Sequence, residues 1–500
     1  MKDSYQRYYT TCKDIVDFMV ASLDLQNNTL VMEPCAGNGV FIEALLKENK
    51  NIRIEAFEMD EQAYSELILK YGKNNSIKIK HTDTLLESSL LPLPINSERY
   101  DYIIANPPYG AWQDYTKRKL LKRLYDGFYI KETYTTFLYQ AINLLKEGGR
   151  LAFIIPNTFL TLHMHTDLRE VILKKTKIIN ISVFPSKFFP NISFGYASLA
   201  IIVLQKCNNE SECFENNGTI YTGFSHPTQL MRHTSCVITH KEKQKRIFEN
   251  LDHTFLIANN TSEKLLVQNA KIRLGDIADC VTGFYTGNDK QFIRVLNKNE
   301  KRCSSFEEVD KSLISTQTTL DGITGDAHFI PIIRGGGTAY YKPSLFFVDW
   351  GNETVQFYKS NKKARFQNSK YYFKTGIGVP MVSSNKITAS IIDGRLFDQG
   401  IVGIFAKDDS LIYYLLGFLN SSIASSLMRI INPTANNSSN YIKKLPIIFT
   451  DNCTTSLITT LVKNIILLKK KNKCSKKEEK IVDDMFTSIC EDKKSIVQKY

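Results

Sequence analysis

Between residues 11 and 206 the apolar positions alternate between two rhythms. Ile15, Val16, Met19, Val20 and Leu23 recur at the spacing that lines one face of a helix. Short apolar runs of strand length follow: Leu30–Met32, Ile52–Phe57, Ile77–Lys80, Tyr102–Ala105, Leu151–Ile155, Ile178–Val183 and Leu199–Leu204, most of them separated by helix-period sequence. Strands separated by helices build a parallel sheet, so this half is predicted to be an α/β domain with a seven-stranded sheet. The link between the last two runs carries Pro185 and Pro190 and little helical pattern, so the last strand is expected to run antiparallel.

The alternation ends near residue 207. Asn, Glu, Ser, Thr and His dominate 207–265, which reads as a connecting segment. From about Ile272 short apolar runs are broken by Gly turns at Thr282-Gly283, Thr286-Gly287-Asn288, Arg334-Gly335-Gly336-Gly337 and Gly376-Ile377-Gly378, the pattern of a mixed α+β domain rich in loops. Two helical stretches, Ser456–Lys471 and Lys477–Ser488, close the chain. At 500 residues two domains are expected, 1–206 and 266–500. An apolar run of about 18 residues is absent, as is a charged-then-apolar leader over Met1–Thr10, so membrane spanning and secretion are not expected. The ten cysteines form no CxxC pair and no dense disulfide spacing; they read as reduced thiols of a cytoplasmic protein, and no metal cluster is expected.

Charge adds a partner class. With 64 Lys+Arg against 51 Asp+Glu the chain carries +13, which suits a polyanion, although a composition that simply favours Lys raises the charge as well.

Chemistry concentrates at the ends of the predicted strands. Glu33-Pro34-Cys35-Ala36-Gly37-Asn38-Gly39 follows the first strand and precedes a helical run, where glycines let backbone approach a nucleotide-like ligand. An acidic residue before them repels a pyrophosphate and suits a cationic ligand such as S-adenosylmethionine; a turn needed only for packing is the competing reading. Glu58 ends the second strand, 25 positions after Glu33, near the spacing of a ribose-binding carboxylate, and otherwise reads as solvated surface. Asp83 follows the third strand as an acceptor for an exocyclic amino group or as a cap. Asn106-Pro107-Pro108-Tyr109 follows the fourth. Two prolines hold the chain extended, fixing the Asn amide and a backbone carbonyl as paired acceptors for an amino group on an aromatic ring, and Tyr109 offers a stacking face.

In this order the motifs resemble those of the TaqI-like, or Eco57I-like, adenine-N6 DNA methyltransferases, strongly over 8–206 and more loosely over 266–450. The resemblance implies a Rossmann-like class I S-adenosylmethionine-dependent methyltransferase domain followed by a target-recognition domain. It places Thr11, in Tyr9-Thr10-Thr11-Cys12, with Glu33, Cys35, Gly37, Glu58, Met59, Asp83 and Pro108 around the cofactor; Cys12 stands where the family usually has proline. Asn106 and Pro107 would hold the target amino group, Tyr109 would stack on a flipped adenine, and Phe137 and Phe184 would form the base pocket. Phe137 equally fits a helix core, and Phe188, Phe189 or Phe194 compete for the place of Phe184.

Double-stranded DNA is therefore the expected partner. Lys117, Arg118 and Lys122 sit among Trp112, Tyr115, Tyr125, Phe128 and Tyr129, a mixture suited to phosphates and equally to an amphipathic surface helix. In the second domain Arg334, Lys342, Arg365, Lys374, Lys386 and Arg395 are candidates for reading bases or phosphates. The eight lysines of 463–480, against two glutamates, read first as a solvated helix face. A monomer is expected, with a separately encoded restriction endonuclease compatible with it, because the cofactor half begins near residue 8 and leaves no room for an N-terminal nuclease. Competing activities are methylation of cytosine N4, where Ser usually replaces Asn106, of an RNA base or of a glutamine side chain; an inactive specificity protein is the non-enzymatic alternative.

Overall fold

The computed structural model describes residues 12–91, 98–109, 115–125, 128, 132–189, 198–258, 260–383 and 386–497. The chain divides into two compact units, Met1–Phe255 and Leu256–Tyr500.

The first unit opens with α1 (Lys13–Leu23), whose buried residues are Ile15, Val16, Met19, Val20 and Leu23, the face marked by the sequence periodicity. There follow β1 (Leu30–Glu33), α2 (Val40–Glu48), β2 (Arg53–Glu58), α3 (Glu61–Tyr71), β3 (Ile77–His81), β4 (Tyr100–Ala105), α4 (Tyr115–Leu124), α5 (Thr133–Leu144), β5 (Leu145–Pro156), α6 (Thr166–Lys175), β6 (Thr176–Pro185) and β7 (Ser198–Lys206). Each of these strands overlaps one of the predicted runs. The sheet order is β3-β2-β1-β4-β5-β7-β6, continued by two more strands. β1 pairs in parallel with both β2 and β4, so the chain leaves it in opposite directions and opens a crevice at the carboxyl ends of β1 and β4. β7 lies antiparallel between β5 and β6, as expected from the short connection.

The expected seven-stranded sheet is corrected to nine strands, and the segment 207–265 is not a simple connector. It forms α7 (Glu210–Glu215), β8 (Asn217–Thr222), β9 (Ile238–Lys243) and α8 (Gln244–Glu249). β8 pairs in parallel with β6, and β9 pairs antiparallel with β8. The polar composition of β9 conceals it, because its residues are exposed or half-buried at the sheet edge, where period-2 burial weakens. Gln244 anchors the addition: its Oε1 accepts from the Ile178 N–H at 2.7 Å while its Nε2 donates to the Leu173 and Thr176 carbonyls.

The second unit holds two sheets. One has the order β12-β11-β14-β13-β17 and the other β10-β18-β15-β16. The strands are β10 (Ala278–Thr282), β11 (Ile293–Val295), β12 (Glu307–Glu308), β13 (Phe329–Ile333), β14 (Phe346–Asp349), β15 (Ile377–Pro380), β16 (Ser390–Ile391), β17 (Leu396–Phe397) and β18 (Ile401–Ala406). Its core is aromatic: Trp350 is fully buried among Phe284, Tyr358, Phe366 and Tyr372. The two closing helices span Asn452–Lys470 and Lys476–Val497, longer than the periodic stretches that announce them. No single helix among the described residues is long and apolar enough to cross a membrane.

Candidate active site

The crevice at β1 and β4 is an open pocket of about 1010 Å³ including its mouth. Glu33, Cys35, Gly37, Glu58, Met59, Asp83, Asn106, Pro108 and Phe137 all line it. Residues from four strand ends and from α5 therefore converge, although they span more than a hundred positions of sequence.

The turn after β1 is built by glycine. Gly37 and Gly39 adopt left-handed φ values of +51° and +74°. A Cβ on Gly39 would lie 2.7 Å from Leu67 Cδ2 and 3.0 Å from Tyr71, so close packing of this turn on α3 also requires glycine. The turn is clamped from the next strand: Glu58 Oε2 accepts from the Gly37 N–H and Oε1 from the Asp60 N–H, each at 2.7 Å. A carboxylate offers about four acceptor positions, so Glu58 keeps capacity for a ligand. Asp60 caps α3 through the Ala63 N–H at 2.9 Å.

Glu33 differs from the other buried carboxylate of the sheet. Glu55 is 3% exposed and receives Tyr100 Oη at 2.6 Å, Arg99 at 2.8 Å and Lys80 at 3.1 Å. Burial alone would raise its pKa, but these partners outweigh it and hold it below the ordinary range. Glu33 is 1% exposed and its Oε2 has no hydrogen-bond partner. Burial and then the Glu58 charge push it well above the ordinary glutamate range. Burial also raises the Cys35 thiol, with the Glu33 and Glu58 charges adding and a hydrogen bond involving the Asn106 backbone opposing. Glu33 thus has no cationic partner among the described residues, and its charged form awaits one from outside the protein. Met59 remains 42% exposed beside it, an apolar side chain available to a flat ligand.

On the facing wall, Asn106 and Pro108 line the pocket while Pro107 and Tyr109 are buried behind them. The Tyr109 hydroxyl lies 2.6 Å from Asn106 Oδ1 and 2.8 Å from the Ile154 carbonyl, so it can donate to either. Its ring meets Tyr134 of α5 edge-on at 6.5 Å. This link between Tyr109 and Asn106 joins the two ends of the motif and is not readable from its spacing.

Other expected residues fall elsewhere. Phe184 does not line this pocket; it is 1% exposed and stacked on Phe188 at 5.4 Å. Phe189 is also buried, and Thr11 and Phe194 lie outside the described residues. Lys117 of α4, expected on DNA, instead lines the pocket and forms an ion pair with Asp83. Nothing in its lysine-rich segment distinguishes it. Arg118 is half-buried on the same helix, its Nε without an acceptor, and Lys122 is exposed. Thr133 and Phe41 line the pocket and were not singled out by the sequence.

In the second unit two expected DNA contacts are internal. Arg395 is buried and donates to the Ile391, Ile392 and Lys342 carbonyls and to Ser344 Oγ. Arg334 pairs with Asp289 at 2.7 Å and Asp398 at 3.3 Å and stacks against Phe306 and Phe346. The Arg395 guanidinium is consumed by the fold, because a buried cation needs its donors satisfied, whereas Arg334 is held by two carboxylates and keeps Nη1 without an acceptor. Arg365, Lys374 and Lys386 are exposed.

Residues 8–189 match the family model described as Eco57I restriction-modification methylase. The chain is 30% identical over 203 residues to the type II methyltransferase M.AccI of Acinetobacter calcoaceticus, covering 39% of this chain and 36% of that protein. It is 25% identical over 369 residues to the adenine-specific methyltransferase PglX of Lacticaseibacillus casei, covering 70% and 30%. With the type II methyltransferase M.HindII of Haemophilus influenzae it shares 23% identity over 469 residues, covering 83% of each. The chain thus spans about a third of the first two relatives and most of the third. Among solved structures, a nuclease-deletion mutant of the Type ISP restriction-modification enzyme LlaGI resembles the fold over 93% of this chain and 47% of that one, with a TM-score of 0.57 at 14% identity.

Proposed function

We propose, on the premise that residues 8–189 are an Eco57I restriction-modification methylase domain, that the protein is an S-adenosylmethionine-dependent DNA methyltransferase acting on the N6 amino group of adenine. The observation that carries this reading is the shared pocket: a buried, uncompensated glutamate on one wall and Asn106 with Pro108 on the other. The adenine-specific relative and the asparagine of the motif favour adenine over cytosine.

The lining fits the cofactor. Glu33 would neutralise a cationic ligand, Glu58 would accept from ribose hydroxyls, and Met59 and Asp83 would receive the adenine ring and its amino group. When bound, S-adenosylmethionine supplies an electrophilic methyl group. Asn106 Oδ1 and the Pro107 carbonyl would accept the two hydrogens of the target amino group, drawing its nitrogen toward tetrahedral geometry and localising its lone pair. The same acceptors would stabilise positive charge as it develops there, so orientation and electrostatics do the work without a general base. Tyr109, buried rather than open to a stacked base, would keep Asn106 oriented through its hydroxyl, and Phe137, which lines the pocket, would receive the base. An adenine inside a duplex must leave the stack to reach this site. The second unit would supply target recognition, and restriction–modification is the physiological setting this reading supports.

The test is transfer of labelled methyl from S-adenosylmethionine to unmethylated duplex DNA, with nucleoside analysis and Asn106→Ala as control. N6-methyladenine that disappears in the variant is the expected result. Labelled cytosine would move the enzyme to the N4 class, and labelling of RNA or protein alone would overturn the DNA substrate.

A further inference from the structure

β13 runs directly into Arg334-Gly335-Gly336-Gly337, and the chain there is shaped by glycine. Gly335 and Gly337 adopt left-handed φ values of +64° and +103°. A Cβ on Gly335 would meet only two groups within 4 Å: Arg302 Nη1 at 3.3 Å and Lys342 Nζ at 3.7 Å. On Gly337 it would meet nothing. Two cationic groups therefore converge on the place where this loop has no side chain. Among the described residues, no acceptor faces the N–H groups of Gly335, Gly336 and Gly337.

The surrounding charges do not balance. Arg302, Arg334, Lys342 and Arg395 lie near the carboxylates of Asp289, Asp398 and Asp393; Arg334 engages the first two, and Asp393 is paired with Lys470. Lys342 Nζ donates to the Arg334 and Gly335 carbonyls, which are neutral. Its pKa is held down to about 8, by burial first and then by Arg302 and Arg395, against the opposing Asp398 and the nearby Cys303. Arg302 is exposed and has no carboxylate partner among the described residues. Arg334 keeps one buried guanidinium nitrogen, Nη1, without an acceptor. A guanidinium, an ammonium and free backbone N–H groups around one glycine are complementary to a compact oxyanion.

We propose that Arg302, Lys342 and the Gly335–Gly337 backbone form a site for one phosphate of bound DNA, an assignment that rests on the DNA-methyltransferase reading. The phosphate would balance the cations and dock the second unit on the duplex without reading its sequence, since phosphate contacts position and base contacts specify. Arg334, which the sequence marks as a reader, instead supports the loop from beneath through Asp289 and Asp398.

The test uses the full-length protein, a duplex carrying its methylation site, a scrambled duplex, and a salt series. Arg302→Gln should weaken binding to both duplexes by the same factor, roughly tenfold for one charge-assisted contact. It should also lower the slope of log affinity against log salt by about 0.9. Lys311→Gln, at an exposed lysine elsewhere in the unit, should change neither, and cofactor binding should be unaffected. An unchanged affinity and slope in Arg302→Gln, with a wild type that binds and methylates DNA, would overturn the site and leave the enzyme assignment intact. Loss confined to the specific duplex would make Arg302 a base reader and also overturn it. A wild type that neither binds nor methylates DNA would overturn both readings together.

Discussion

The crevice at β1 and β4 in the first unit and the glycine loop of the second hold ionisable groups of opposite sign that the fold leaves without a counter-charge. In the crevice Glu33 is buried with an oxygen that has no partner, and Glu58 lies close enough to add repulsion. At the loop, Arg302 and Lys342 converge on Gly335 with the neighbouring carboxylates already taken. Elsewhere the same residue types have partners of the complementary kind: Glu55 has the cations Arg99 and Lys80 and the Tyr100 hydroxyl, and Arg395 has three carbonyls and a hydroxyl. A buried charge that the fold satisfies holds the structure together. One that the fold leaves unsatisfied is costly in isolation, and its sign is the complement of the ligand that relieves it.

The largest expected effect separates chemistry from binding within the first region. Asn106→Ala should lower methyl transfer by at least about a thousandfold, as removal of a transition-state acceptor does, while calorimetric affinity for S-adenosylmethionine stays within about twofold. Equal loss of both would break the division of the pocket into two walls. Next comes the satisfied cation of the second region. Arg395→Met should destabilise that unit by about 3–5 kcal/mol in chemical denaturation, because it orphans several buried acceptors. A stable variant with weakened DNA binding would return Arg395 to the DNA-facing role.

Glu33→Gln sharpens the comparison through pH. Cofactor affinity should fall about tenfold at neutral pH, the loss of roughly 1.4 kcal/mol of ion pairing. In the wild type the affinity should fall on acidification, beginning above the ordinary glutamate range because the ligand-free pKa is raised. The variant should lose that dependence. Stability should respond with the opposite sign. A raised folded pKa means that the folded state binds more protons than the unfolded one, so Glu33 destabilises the ligand-free protein as pH rises from the ordinary glutamate range through the raised value. Without cofactor at neutral pH, Glu33→Gln should therefore melt higher, by roughly 2–4 °C per kcal/mol recovered. The smallest effect concerns the ion pair that closes one side of the crevice. Lys117→Met should release Asp83 and tighten cofactor binding about two- to fivefold, a modest gain appropriate to a partly exposed pair. Weaker binding would mean that Lys117 itself touches the cofactor.

The strands were legible because their burial is periodic. α1 buries the five residues that its spacing marks, and each of the seven apolar runs of the first half is a strand of the sheet. The convergence of Glu33, Glu58, Asp83 and Asn106 on one pocket is legible for a related reason: they follow or end consecutive strands, and parallel neighbours bring such positions to one edge. β9 is hidden in the sequence because an edge strand with polar faces has no core pattern to advertise it, and β8, paired on both sides, buries only Gly218 and Ile220. In the second unit the residue types alone do not tell which candidate DNA-reading cations are taken up by the fold. Arg334 stacks on Phe306 and Phe346, and Arg395 is buried beneath Tyr341, contacts made by residues distant in the chain.

By itself the sequence determined the strand and helix rhythm, the glycine-shaped turn after β1, the rigid Asn106-Pro107-Pro108-Tyr109 segment and an excess of positive charge. Each is a local property, set by dihedral freedom, side-chain period and composition. Tertiary structure alone decided which charges are spent and which remain. It placed Tyr100, Arg99 and Lys80 on Glu55 and none on Glu33 Oε2, brought Lys117 to Asp83, and set Arg302 beside Gly335. Pairing depends on distance and burial between residues far apart in sequence, and in a low-dielectric interior a few ångströms separate a neutralised charge from one that requires a ligand.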